Sequence, residues 1–199
     1  MAAAMLLMAT DAFAQISVGA GYINSTTSLK LDSNKNTTNY NGFYVGGSYD
    51  INVVSGFSIN PGLYYSFLTT GEKEIVNIAG IKATSKNTEH FMYIPVDFKY
   101  GFDLAPDCTL YAYAGPTFQF QVGQNYQIKA LNGSWSDSDA YDDLSKFDVL
   151  IGGGVGAELL NCLKINVGYR YGLINLYNGD SSKITSHRSQ ILIGLAYMF

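Results

Sequence analysis

The chain has little charge, little cysteine, little proline and a single tryptophan. Asp, Glu, Lys and Arg make up 14% of its 199 residues, whereas soluble domains average roughly 25%. With 21 Gly, 16 Tyr and 11 Phe, the composition fits neither a disordered chain nor an ordinary cytosolic enzyme. The formal net charge is −4, and no basic cluster exists to meet phosphates. Both features argue against nucleic acid as a partner. Two cysteines and two distant histidines are too few to hold a metal, and nothing points to a cofactor. No apolar run reaches the roughly 18 residues of a transmembrane helix, so crossing a membrane by helix is excluded.

What the chain does have begins at its amino terminus. Met1-Ala2-Ala3-Ala4-Met5-Leu6-Leu7-Met8-Ala9 reads as the apolar core of a signal peptide, without a basic flank before it. Ala12-Phe13-Ala14 fits a small-x-small cleavage site. Residues 1–14 are therefore expected to direct export, leaving 15–199 as one domain long enough for a sizeable core.

From Gln15 onward the hydropathy period is two, and turn residues recur. Strands are expected over about 15–25, 40–52, 57–69, 89–102, 108–123, 146–159 and 163–176, with a closing strand after 187. The links 26–39, 70–88 and 124–145 are long and polar, and 178–187 is intermediate. The links near Val54-Ser55-Gly56, Ala105-Pro106-Asp107 and Asn161-Cys162 are short. Eight strands with long links at one end and tight turns at the other describe an eight-stranded antiparallel up-and-down transmembrane β-barrel. Strands of about 11–14 residues suffice to cross a bilayer when tilted.

A soluble barrel would show the same period, but its outer face would carry many Lys and Glu. Here the polar parity holds mainly Gly, Ser, Tyr, Asn and Gln, with about one charge per strand. The apolar parity is continuous and bulky. An eight-stranded barrel has an interior just wide enough for side chains, so packing those groups inside would overfill it. Pointing them toward lipid removes the conflict and leaves no backbone edge in the membrane. The last nine residues share the pattern: Ile191, Ile193, Leu195, Tyr197 and Phe199 lie on one parity. Gly194, Tyr197 and Phe199 are read as an insertion signal for the barrel-assembly machinery.

Four segments carry a family resemblance. Tyr93-Ile94-Pro95-Val96-Asp97-Phe98-Lys99-Tyr100 resembles an IPL-x-x-K-Y strand, and Tyr111-Ala112-Tyr113-Ala114-Gly115-Pro116 its aGP partner. Phe147-Asp148-Val149-Leu150-Ile151-Gly152-Gly153-Gly154 and Tyr169-Arg170-Tyr171-Gly172-Leu173-Ile174-Asn175 complete the set. Together they resemble the PorT-type outer-membrane β-barrel proteins of Bacteroidota. The match is motif-based over 90–199 and by pattern alone before that; Leu192 stands where the closing strand of such proteins often has a polar residue. The resemblance implies a barrel in the cell outer membrane and assigns no chemistry, although a part in assembling a secretion machine would follow from the name.

Candidate functional residues fall into four groups. Asp97, Lys99, Asp148, Glu158, Lys164 and Arg170 lie on the inward parity. Charges in a narrow lumen must pair or hold water, so they are expected to form an interior polar network. A gated path with Lys99 or Arg170 as the switched partner is the alternative. His90 and His187 lie near the long-link ends, with Glu89, Ser186 and Ser189 close in sequence, the residue types of a rim lipid-modifying enzyme. Adjacent strand residues point to opposite faces, which counts against Ser186 with His187. Cys108 and Cys162, at successive short-turn ends, are candidates for a disulfide in an exported protein. Trp135, among Asp137, Asp139, Asp142 and Asp143, could contact a partner, and that acidic group lacks the spacing of a calcium loop. The expected protein is a monomer in the bilayer with a structural or partner-binding role, met by the insertion machinery and an envelope or secretion protein. It is not expected to be an enzyme or an open pore.

Overall fold

The computed structural model describes residues 14–31, 34–78, 81–130, 133–137, 145–176 and 184–199. The expected signal peptide lies outside the described residues, apart from Ala14. Among the described residues ten strands form in chain order: β1 (Ala14–Leu31), β2 (Asn34–Val54), β3 (Phe57–Thr69), β4 (Lys73–Ile78), β5 (Ile81–Ala105), β6 (Cys108–Ala130), β7 (Gly133–Asp137), β8 (Phe147–Leu159), β9 (Leu163–Gly172) and β10 (Ile184–Met198). Every pairing is antiparallel. Eight of the strands make a closed ring in the order β1, β2, β3, β5, β6, β8, β9, β10, with β10 returning to β1. β4 and β7 are short additions outside the ring count, pairing with β5 and β6.

The alternation that predicts the barrel also orients it. Phe43, Leu63, Val155 and Ile193 are each at least half exposed and point outward, while Asp50, Asp97, Gln119 and Arg170 are buried inside. The apolar band is thus on the outside, where lipid covers it. At one end the strands turn tightly: at Ser55-Gly56, at Pro106-Asp107, and at Leu160-Asn161-Cys162. Leu160 and Asn161 take φ of 54° and 55° there, and Gly56 takes 78°.

At the other end the expected long links are largely strand. Residues 26–31 and 34–39 continue the β1–β2 ladder, ending with Leu31 opposite Asn34. Residues 84–88 pair with 125–129 across β5 and β6, and β7 occupies 133–137. The reason is physical. Above the apolar band both faces are wet, so hydropathy no longer alternates, yet the ladder persists on side-chain bonds between strands. Thr26 Oγ1 donates to Asn39 Oδ1 (2.8 Å), Asn24 Nδ2 to Asn41 Oδ1 (2.8 Å), and Tyr22 Oη to the same oxygen (2.5 Å). These extensions make two upright sheets: β10–β1–β2 and β4–β5–β6–β7.

The sheets separate at one bend. β3 ends with Thr69 opposite Asn41 of β2. Thr70, Gly71 (φ 71°) and Glu72 then carry the chain to β4, which pairs with β5 instead. Among the described residues, 34–40 of β2 pair on one side only, with β1. β9 stops at Gly172, short of the expected 176. Residues 173–176 fold back instead: Leu173 N donates to Val149 O (2.8 Å) and Leu176 N to Ser186 O (2.9 Å), which leaves Leu176 buried.

Candidate functional site

The lumen is the candidate site, and its packing starts from residue size. β2, β3, β5 and β6 send Tyr44, Tyr64, Tyr93, Tyr111 and Tyr113 inward, and glycines face most of these rings. A Cβ on Gly168 would stand 2.3 Å from the Tyr113 hydroxyl, and one on Gly156 2.4 Å from that of Tyr111. Neither side chain fits without the small partner, because interiors are already close-packed. Gly194 belongs to the same scheme: its Cβ would meet the Tyr44 hydroxyl at 2.1 Å.

Near the tight-turn end the lumen is floored by four charges from four strands. Lys99 Nζ reaches Asp50 Oδ2 (2.8 Å) and Glu158 Oε1 (2.7 Å). Lys164 bonds Asp50 and Ser17, and lies 3.7 Å from Glu158. Lys99 also sits over the Tyr111 ring, 5.2 Å from its centroid. Next comes a cavity of about 100 Å³ lined by Tyr44, Tyr64, Tyr113, Asn60 and Asn166. On its wall Arg170 pairs with Asp97 (2.7 Å) and donates to Thr117.

Beyond the cavity, Gln190 of β10 donates from Nε2 to Tyr93 Oη (2.9 Å) and Gln119 Oε1 (3.2 Å), joining β10 to β5 and β6 across the lumen. Fully buried Ile23 and Leu150 flank this bar, opposite Leu192 and Thr117 in register. Past it, Arg188 Nη2 meets Glu89 Oε2 (3.0 Å), and its guanidinium lies 4.4 Å from the Phe91 centroid. Asp148 Oδ1 accepts from Ile174 N (3.4 Å). A second cavity of about 10 Å³ lies among Glu89, Gln119, Asp148, Leu176 and Arg188.

All six charges expected inside face the lumen, and five of them form ion pairs. Asp148 instead holds the chain after β9. Sequence reasoning passed over Asp50, Glu89 and Arg188 as network members, although each stands on the inward parity of its strand. Glu89, adjacent to His90 in sequence, turns inward to Arg188 while His90 faces out. His90 Nδ1 lies 2.5 Å from Tyr65 Oη and its ring packs on Phe67. His187 stacks on Tyr171 and bonds Gly172 O through Nδ1 (3.2 Å). Ser186 is buried on the other face, and Ser189 shares the outward face with His187.

The proposed disulfide is absent: Cys108 and Cys162 are free thiols. Cys108 sits on the β6–β8 seam opposite Leu159. The Cys162 carbonyl is taken by Met198 N (2.7 Å) on the β10 side, so β8 and its turn stand between them. Trp135 lies in β7 opposite Ile128 rather than in an open loop. Asp139, Asp142 and Asp143 lie outside the described residues. Among the described residues no cluster could hold a metal. Tyr197 and Phe199 are exposed and pack edge to face at 5.0 Å, and Phe199 N donates to Ile16 O (2.9 Å).

The outer membrane protein beta-barrel domain model matches residues 9–178. The chain belongs to this outer-membrane β-barrel family. It is a small outer-membrane protein, and in such barrels the tight turns face the periplasm and the longer connections face outside. Similar solved structures include Ail, the attachment invasion locus protein of Yersinia pestis, in complex with the heparin analogue sucrose octasulfate. That structure is 18% identical, covering 94% of this chain and 100% of that one, with a TM-score of 0.45. Neisserial surface protein A is 11% identical over 92% and 97%, with a TM-score of 0.48. The outer membrane enzyme PagL is 12% identical over 91% and 97%, also at 0.48. No curated protein matches the chain in sequence.

Proposed function

We propose that this outer-membrane barrel is a closed, monomeric, non-enzymatic protein that binds a protein of the cell envelope or a secretion machine through its two outer sheets. One observation carries the reading: the chain builds wall above its apolar band and, among the described residues, leaves the 34–40 edge of β2 paired on one side only. An unpaired strand edge presents alternating donors and acceptors that an extended segment of another protein can complete. The lumen supports closure, since its charges pair with one another instead of lining a pore. The resemblance of four segments to PorT-type proteins of Bacteroidota supports the same assignment, and the aromatic pair Tyr197–Phe199 supports delivery by the insertion machinery.

The test shortens the β1–β2 extension by replacing residues 28–37 with Asn-Gly, a two-residue turn joining Thr27 to Thr38. The trimmed barrel should insert normally, keep its heat-modifiable gel mobility and lose the proteins that copurify with the parent in mild detergent. Retention of all of them by the trimmed barrel would sink the proposal. So would ion conductance of the parent in planar bilayers. Altered lipid A masses on expression would favour the rim enzyme instead.

A further inference from the structure

We propose that the lumen is two hydrated chambers parted by one layer of side chains, and that Gln190 is the residue whose bulk keeps water and small monovalent ions from crossing. The inference rests on the closed-lumen reading above. Its first support is the pair of cavities. Tyr93 lines the inner, 100 Å³ cavity, and Gln119 lines the outer, 10 Å³ cavity. Both residues are held by the same Gln190 amide, so each chamber ends on the bar itself.

The second support is hydrogen-bond accounting within the bar. Gln119 and Gln190 are each 1% exposed, yet Gln119 Nε2 and Gln190 Oε1 have no protein partner. Exchanging oxygen and nitrogen in both amides still leaves one donor and one acceptor over. Orphaned groups this deep cost about 1–3 kcal/mol each, a cost water removes if it can reach them. A polar cavity holds one water in roughly 10–15 Å³. The inner chamber therefore takes several, and the outer about one.

Water reaches the inner chamber past the floor, where Lys99 and Glu158 keep 13% and 17% of their side chains exposed. Fixed charge does not favour either sign of ion. Lys99, Lys164 and Arg170 balance Asp50, Asp97 and Glu158 inside, and Arg188 with Lys146 balances Glu89 and Asp148 outside. What bars passage is volume in a single layer.

The experiment compares the full-length parent with Gln190→Gly, Gln190→Leu and Tyr93→Phe in planar lipid bilayers. Each barrel is first confirmed folded by heat-modifiable mobility. Gln190→Gly should give discrete current steps where the parent gives none. Gln190→Leu and Tyr93→Phe keep the bulk and should stay silent. A folded but silent Gln190→Gly barrel overturns the inference, as does conduction by Gln190→Leu equal to that of the glycine variant. Conduction by the parent overturns the closed-lumen reading instead. Amide exchange gives an independent readout, because the side-chain amides of Gln119 and Gln190 should exchange with water at least about tenfold faster than backbone amides of the flanking strands. Equal protection would count against hydrated chambers.

Discussion

The two faces of one wall are built to different standards. Inside, each large side chain has a particular counterpart: Arg170 has Asp97 and Thr117, Arg188 has Glu89 and Phe91, Tyr113 has Gly168. Outside, Phe43, Leu63, Val155 and Ile193 need only be apolar. The contrast follows from the surroundings. Lipid is a fluid that fits itself to any apolar surface, whereas a lumen of fixed width must be filled by shape and neutralised pair by pair. The identity of this barrel, as distinct from its class, is therefore written on the inner face.

The largest test of that contrast removes one member of an inner pair. Arg170→Met leaves Asp97 buried without its partner and should cost about 3–5 kcal/mol, measured by urea unfolding of the detergent-folded barrel. Adding Asp97→Leu should restore most of the loss. If Arg170→Met costs no more than an aliphatic exchange outside, the inner face is no stricter than the outer one. A smaller effect is expected from crowding alone. Gly168→Ala places a methyl against the Tyr113 hydroxyl and should cost about 1–3 kcal/mol. Tyr113→Phe removes the clashing oxygen, so the double variant should recover stability, and failure to recover would break the tyrosine–glycine scheme. The smallest equilibrium effect belongs to the outer face. Deleting Phe199 should leave the unfolding midpoint nearly unchanged while lowering the fraction of barrel inserted, scored by heat-modifiable mobility.

The difference between the faces also governs what was legible in the sequence. The outer face reads directly, because apolar residues at every second position fix parity and therefore strand, barrel and membrane. The same parity placed Asp97, Lys99, Asp148, Glu158, Lys164 and Arg170 inside. It could not say who meets whom. Arg170 and Asp97 are 73 residues apart and touch only because of the stagger between strands. Nor could it find the sheets above the band, where Thr26 and Asn39 are both polar and no alternation remains. Arg188 stands first in the expected closing strand and on its inward parity, but nothing in the sequence pairs it with Glu89, 99 residues away. The cysteine pairing failed on a seam that only the register reveals.

The β1–β10 seam has a consequence for how the molecule comes into being. It runs from Ser17 opposite Met198 to Leu31 opposite Ile184. Of the other seven ring contacts, four join strands separated by two or three residues in sequence, one joins strands separated by eleven residues, and two span one short intervening strand. This one joins opposite ends of the sequence. Loop closure grows only slowly more costly with length, yet it must be met before any contact of that seam repays it. The seven local pairings can accumulate in any order as an open, curling sheet. The last is all or none, and the two orphan edges it joins stay exposed until it forms. Whatever holds those edges apart from other chains during that interval controls the yield of finished protein.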